Sequence, residues 1–175
     1  MNIGIDIDDT ITETSFVGNK YVTKFDNNYQ DYHDLPQNKY FDFLNLYLQD
    51  IVKNNIIKDG VKEAFEFFKN RGYKIIFITA RNDIHVPNIK KLTKEFLAKN
   101  NIYYDKLIFE EVGHGDKSSL AKENNIDIFI DDKEDVLDKI AISNNIECIR
   151  FTNDKKSKYK TFNNWYDIIE YIKTK

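Results

Sequence analysis

One cysteine, two prolines and six glycines in 175 residues leave few routes to an unusual architecture. The lone cysteine, Cys148, cannot close an intramolecular disulfide, and no cysteine–histidine cluster offers a zinc site. It stands in the run Ile146-Glu147-Cys148-Ile149, where a free thiol reads as a buried strand residue rather than a nucleophile. No stretch approaches the ~20 consecutive apolar residues that a membrane helix requires. The N-terminus has neither a basic region nor a cleavable apolar stretch, so the expected location is cytoplasmic. An excess of positive charge is also missing. Against 29 Asp and Glu there are 26 Lys and Arg, and the net charge of -3 argues against broad electrostatic binding to nucleic acid. What is present, 41% hydrophobic and 31% charged residues, describes one globular domain over 1–175 with enough chain to bury its own core.

Short apolar runs bounded by polar turns recur along the chain, as in buried parallel strands. They fall at Asn2 to Ile7, Tyr73 to Ile78, Leu107 to Phe109, Ile126 to Ile130 and Glu147 to Phe151. Between them come helical stripes: Val61, Ala64, Phe65 and Phe68, then Ile89, Leu92, Phe96 and Leu97. Val136, Leu137, Ile140 and Ala141 make another, and Trp165, Ile168, Ile169 and Ile172 the last. The alternation predicts an α/β fold, a parallel sheet covered on both faces. Residues 13–56 break the rhythm with many aromatics and the helical spacing Phe41, Leu44, Leu48, Ile51, so a helical insertion is expected after the first strand.

In a parallel sheet ligands collect beyond the C-terminal strand ends, and here several of those ends carry polar groups. The first strand ends in Asp6, Asp8 and Asp9, acids that repel one another unless a cation or a proton relieves them. Such a run is equally an acidic turn in which Asp8 or Asp9 caps a helix. The second ends in Thr79-Ala80-Arg81, a hydroxyl and a guanidinium suited to phosphate oxygens, or a cap and a surface arginine. Lys117 follows Gly113-His114-Gly115-Asp116 at the start of a helix that Asp116 would cap. A first-turn lysine opposes the helix dipole, which hints at function. His114, like His33 and His85, has no clear role; a loop histidine is the simpler account. The fourth strand ends in Asp131-Asp132, two acids that either cap the next helix or bind metal.

The order of these groups resembles the haloacid dehalogenase (HAD) superfamily of phosphohydrolases, over nearly the whole chain. Phosphoacceptor receiver domains share the residue types but not the order: there the acid pair comes first, whereas here Lys117 precedes the final pair and the third strand ends in Glu110-Glu111. The resemblance implies a Rossmann-like, doubly wound sheet with residues 13–56 as a small helical cap. It implies Asp6 as nucleophile, Asp8 as general acid and base, and Thr79, Ala80, Arg81 and Lys117 around the phosphoryl group. Mg²⁺ would be held by Asp6, Asp8 (through its backbone carbonyl), Asp131 and Asp132, with the direct ligand of the last pair left open. Asp9 stands where many members have glycine. The cap, Thr-Ala-Arg and Asp-Asp together look like the 5′(3′)-deoxyribonucleotidase branch, which implies a nucleoside monophosphate substrate met by Phe16, Val17 and Tyr21. A sugar phosphate, a polynucleotide end, or a non-catalytic nucleotide-binding module are the alternatives.

Overall fold

A parallel six-stranded sheet in the order β3-β2-β1-β4-β5-β6 forms the centre of the molecule. The structure, a computed structural model, describes residues 1–110, 116–143 and 145–175; Glu111, Gly113, His114 and Gly115 lie outside them. The strands are β1 (Asn2–Ile5), β2 (Lys74–Thr79), β3 (Lys106–Phe109), β4 (Ile128–Asp131), β5 (Glu147–Phe151) and β6 (Lys160–Phe162). The chain winds outward from β1 through β2 to β3, then returns beside β1 and winds the other way. The order therefore reverses between β1 and β4, where a doubly wound sheet leaves a crevice for ligand.

Alternate strand residues enter different cores, as a sheet buried on both faces requires. Ile75, Phe77, Ile128, Ile130 and Ile149 pack with α3 (Val61–Asn70), α4 (Ile89–Lys99) and α7 (Trp165–Ile172). Ile76, Ile78, Phe129 and Cys148 pack with α5 (Lys117–Glu123) and α6 (Glu134–Ser143). Cys148 is thus the buried strand thiol expected. Gly4 gives Phe129 its place: a Cβ there would lie 2.5 Å from the ring.

The first strand is shorter than the alternation to Ile7 predicts. Past Ile5 the backbone makes one more sheet bond, Asp6 N to Ile130 O at 2.9 Å, and then turns, with Ile11 N donating to Ile7 O at 3.1 Å. Among the described residues no helix is long and apolar enough to cross a membrane.

Between β1 and α3 lie α1 (Thr14–Phe25), a 3-10 turn (Tyr32–Asp34) and α2 (Gln37–Lys53). This helical segment has its own core of Val17, Val22, Tyr32, Leu35, Phe43 and Ile51. Two adjacent chain crossings join it to the sheet domain: Thr12 pairs antiparallel with Ile57, Glu13 N donates to Ile56 O and Lys58 N to Ile11 O, both at 2.9 Å. A small apolar contact, Val52 of α2 against Val86 and Ile89, ties the segment to α4.

At the opposite flank, the chain's one tryptophan, Trp165, is fully buried between Phe65 and Phe151. Its indole N–H donates to the carbonyl of Thr10 at 3.1 Å, so the last helix holds the turn that follows β1.

Candidate active site

The ends of β1 and β4 and the first residue of α5 converge on one ammonium. Lys117 Nζ lies 2.6 Å from Asp6 Oδ1 and 2.8 Å from Asp131 Oδ2, and all three side chains are buried. Asp116 caps α5 as its sequence predicts, its carboxylate accepting from Ser119 N at 3.0 Å. That cap sets the helix start so that Lys117 turns inward. Burial opposes the lysine's charge, but Asp6 and Asp131 outweigh it and hold the group protonated above its ordinary range.

Asp6, Asp131 and Asp132 each offer a carboxylate oxygen within 4.8 Å of the others. One lysine does not neutralise the cluster. Burial, with Asp131 and Asp8 adding repulsion against the pull of Lys117, drives Asp6 up to about 7. Asp132 rises to about 8, through burial and then the charges of Asp6, Asp131 and Asp9. Such a site favours protons or a cation, and an all-oxygen donor set suits a hard divalent ion. The two C-terminal acids are not equivalent. Asp131 is already engaged at both oxygens, by Lys117 and by Lys133 N at 2.9 Å. Asp132 has no side-chain hydrogen bond among the described residues.

Asp8 lies on the turn that follows β1 with its side chain 35% exposed, and Arg81 forks its carboxylate at 2.6 to 3.2 Å. Thr14 Oγ1 donates to the same group at 2.6 Å. Burial favours the neutral acid, but the Arg81 charge and these hydrogen bonds hold Asp8 below the usual carboxylate range. Thr79, the last residue of β2, is fully buried two positions beyond the Ile5–Phe77 pair, and its Oγ1 accepts from Arg81 N at 3.3 Å. Ala80 is exposed beside it. Arg81, expected at phosphate from its place after Thr79, instead spends its guanidinium on Asp8 and on Thr93.

Of the three substrate-facing candidates, Phe16 is open to solvent, Val17 is buried in the helical segment's core, and Tyr21 packs its ring on Tyr47. Residues not singled out from the sequence have a clearer place. Tyr32 and Tyr40 of the helical segment sense the charge of Asp8, and Lys133 senses Asp132, Asp6 and Tyr40. Thr14 and Ser15, donating to Asp8 and Asp9, set the start of the segment against the turn that follows β1. Lys133, following Asp131-Asp132 directly, was discoverable from that adjacency; the tyrosines were lost among many aromatics. A cleft of about 560 Å³ opens beside Asp132, walled by Asp9, Ser15, Lys58, Arg150 and Asn153.

No family model matches the chain. A curated protein of Halalkalibacterium halodurans, "Putative nucleotidase BH1399", is 25% identical over 142 residues, spanning 75% of this chain and 69% of that one. Among solved structures, a Had-superfamily hydrolase from Ehrlichia chaffeensis superposes with a TM-score of 0.64 at 16% identity, over 99% of this chain and 96% of that one. A "putative beta-phosphoglucomutase" from Thermotoga maritima gives 0.71 at 14% identity, over 99% and 98%. Strand order, the acids at the strand ends and these superpositions agree that the chain has the fold of the haloacid dehalogenase superfamily hydrolases.

Proposed function

We propose that the chain is a Mg²⁺-dependent phosphomonoester hydrolase working through an aspartyl-phosphate on Asp6. The observation that carries this reading is the convergence of Asp6 and Asp131 on Lys117 at the sheet's switch point, with a carboxylate oxygen of Asp132 within 4.8 Å of both acids. Asp6 and Asp132 would hold the metal directly with the Asp8 carbonyl, while Asp131 anchors Lys117 and the turn to Lys133. Bound Mg²⁺ would supply charge neutralisation and orientation for the phosphoryl group.

An Asp6 carboxylate oxygen forms the new bond to phosphorus as the bond to the leaving oxygen breaks, and Asp8 gives that oxygen its proton, so the reacting state is the one in which Asp8 is protonated against the Arg81 charge that otherwise holds it ionised. Asp8 then takes a proton from the water that hydrolyses the aspartyl-phosphate, which restores both acids and releases phosphate. Lys117 and the Thr79 hydroxyl hold the phosphoryl oxygens, and Lys117 also offsets their repulsion from Asp6. Residues 13–56 act as a cap whose two-stranded base is the Thr12–Ile57 crossing.

A nucleoside monophosphate is the substrate class we infer. The name of the Halalkalibacterium halodurans relative supports it, as does Tyr40, a half-buried ring near enough to Lys133 and Asp8 to feel their charges, since aromatic faces stack on bases without demanding one. Asp6→Asn should abolish Mg²⁺-dependent hydrolysis of p-nitrophenyl phosphate with the circular dichroism spectrum unchanged; retained turnover would overturn the nucleophile. A phosphate-release screen over nucleotides, sugar phosphates and 3′-phosphorylated oligonucleotides tests the substrate, and equal rates on all three classes would remove the nucleotide assignment.

A further inference from the structure

The environment of Asp8 is more heavily built than proton transfer by a loop carboxylate demands. Its Oδ1 accepts from Thr14 Oγ1 at 2.6 Å and from Arg81 Nη2 at 2.6 Å, with Arg81 Nε at 3.2 Å. Its Oδ2 accepts only from Arg81 Nε, at 3.0 Å. The guanidinium is anchored in turn: Nη1 donates to Thr93 Oγ1 on α4 at 3.2 Å, and the Thr93 side chain is wholly buried. On the other side Thr14 is set by Asn55 Nδ2, which donates to its hydroxyl at 2.8 Å. Both chain crossings at the base of the helical segment thus contribute a residue to the setting of one carboxylate.

We propose that Arg81 is a positioning residue for Asp8 rather than a ligand of the phosphoryl group, and that Asp8 Oδ2 is the atom that carries the proton. The inference rests on the hydrolase reading above and assigns the atom and its support. Geometry turns Arg81 toward Asp8: its side chain is 4% exposed, and Nε, Nη1 and Nη2 each face an oxygen of Asp8 or Thr93. The two-pronged fork fixes the plane of the carboxylate, which a single ammonium cannot do. With Oδ1 crowded by donors, the open lone pair lies on Oδ2, on a side chain still 35% exposed. Proton transfer depends steeply on such placement, since a misplacement of ~1 Å costs on the order of 100-fold.

A double-mutant cycle tests this. Arg81→Ala in the otherwise unmutated chain should lower kcat by about 10- to 100-fold. The loss should be larger for alkyl phosphates, whose leaving oxygen needs the proton, than for p-nitrophenyl phosphate, whose leaving group does not. In an Asp8→Asn background the same Arg81→Ala change should alter the residual rate on p-nitrophenyl phosphate by less than about twofold, because nothing remains for Arg81 to position. Thr93→Val, which removes only the anchor, should show the same leaving-group pattern with a smaller loss, and it carries the test if Arg81→Ala fails to fold. An equal loss in both backgrounds, or one independent of leaving group, would overturn the positioning role in favour of direct phosphate contact or a general effect on folding. Turnover by the unmutated chain separates the two levels: without it the hydrolase reading falls and this inference with it, whereas with it intact, equal losses remove this inference alone.

Discussion

Asp9 shows how one residue can be strained and useful together. Its φ of 55° lies in the left-handed region, where a side chain costs about 1–2 kcal/mol and where glycine is the easy choice. Its carboxylate, however, accepts from Ser15 N at 2.8 Å and from the Ser15 hydroxyl, at the first turn of α1. The formal cap of that helix, Glu13, makes no side-chain cap bond, so Asp9 supplies it from across the turn. Asp9→Ala keeps the strain and loses the cap, and should destabilise by about 1–2 kcal/mol in urea unfolding. Asp9→Gly, relieved of the strain, should lose less; a larger loss for glycine than for alanine would contradict this balance. The capping role was one of two readings open from the acidic run itself. Asp6, Lys117 and Asp131 were legible because each stands at an element end in a telling order. The true partner of Arg81 was not, because a guanidinium reaching an acid 73 residues earlier is decided by where the end of β2 lies beside the turn. Thr14, Asn55 and Thr93 carry no signal at all: buried hydroxyls and amides look alike along a chain until something donates to them.

At the scale of elements, β2, β4 and β5 were readable from short apolar runs, and their alternate residues do sort into the two cores. Lys160-Thr161-Phe162 was not, because three residues paired only to β5 show no alternation to read. The helical segment was visible as a break in rhythm, but its internal packing was hidden in the sequence, and Val17 shows why: helical spacing does not say which stripe faces substrate and which faces a neighbour. Gly18 gives a test of that packing. Propensity alone says Gly18→Ala should stabilise α1 by up to ~1 kcal/mol. An added Cβ would lie 2.5 Å from Tyr32 Cε1, and that ring is itself held against Phe43 at 5.3 Å. Gly18→Ala should therefore destabilise by about 1–3 kcal/mol, as overpacking does. A rise in the unfolding midpoint would show that the ring has room to move.

For the molecule as a whole, the acid cluster should link stability to pH and, on the proposed function, to metal. Asp6 at about 7 and Asp132 at about 8 lie well above an unfolded aspartate near ~3.9. Between those limits the folded chain keeps protons that the unfolded chain releases, so stability without metal falls as pH rises from about 5 to 8. Mg²⁺ needs the same protons removed, so its stabilising effect should grow over that window. Thermal unfolding in chelator and in excess Mg²⁺, at pH 5.5 and pH 8, reads both trends, and a chelated protein that gains stability toward pH 8 would contradict them. The position of Trp165 makes such experiments simple to follow. As the chain's sole indole, sealed between two phenylalanines and bonded to the Thr10 carbonyl, it emits from behind the turn that follows β1. Its fluorescence colour is thus an unlabelled optical gauge of whether the final helix still braces that turn, readable in the same cuvette as phosphate release.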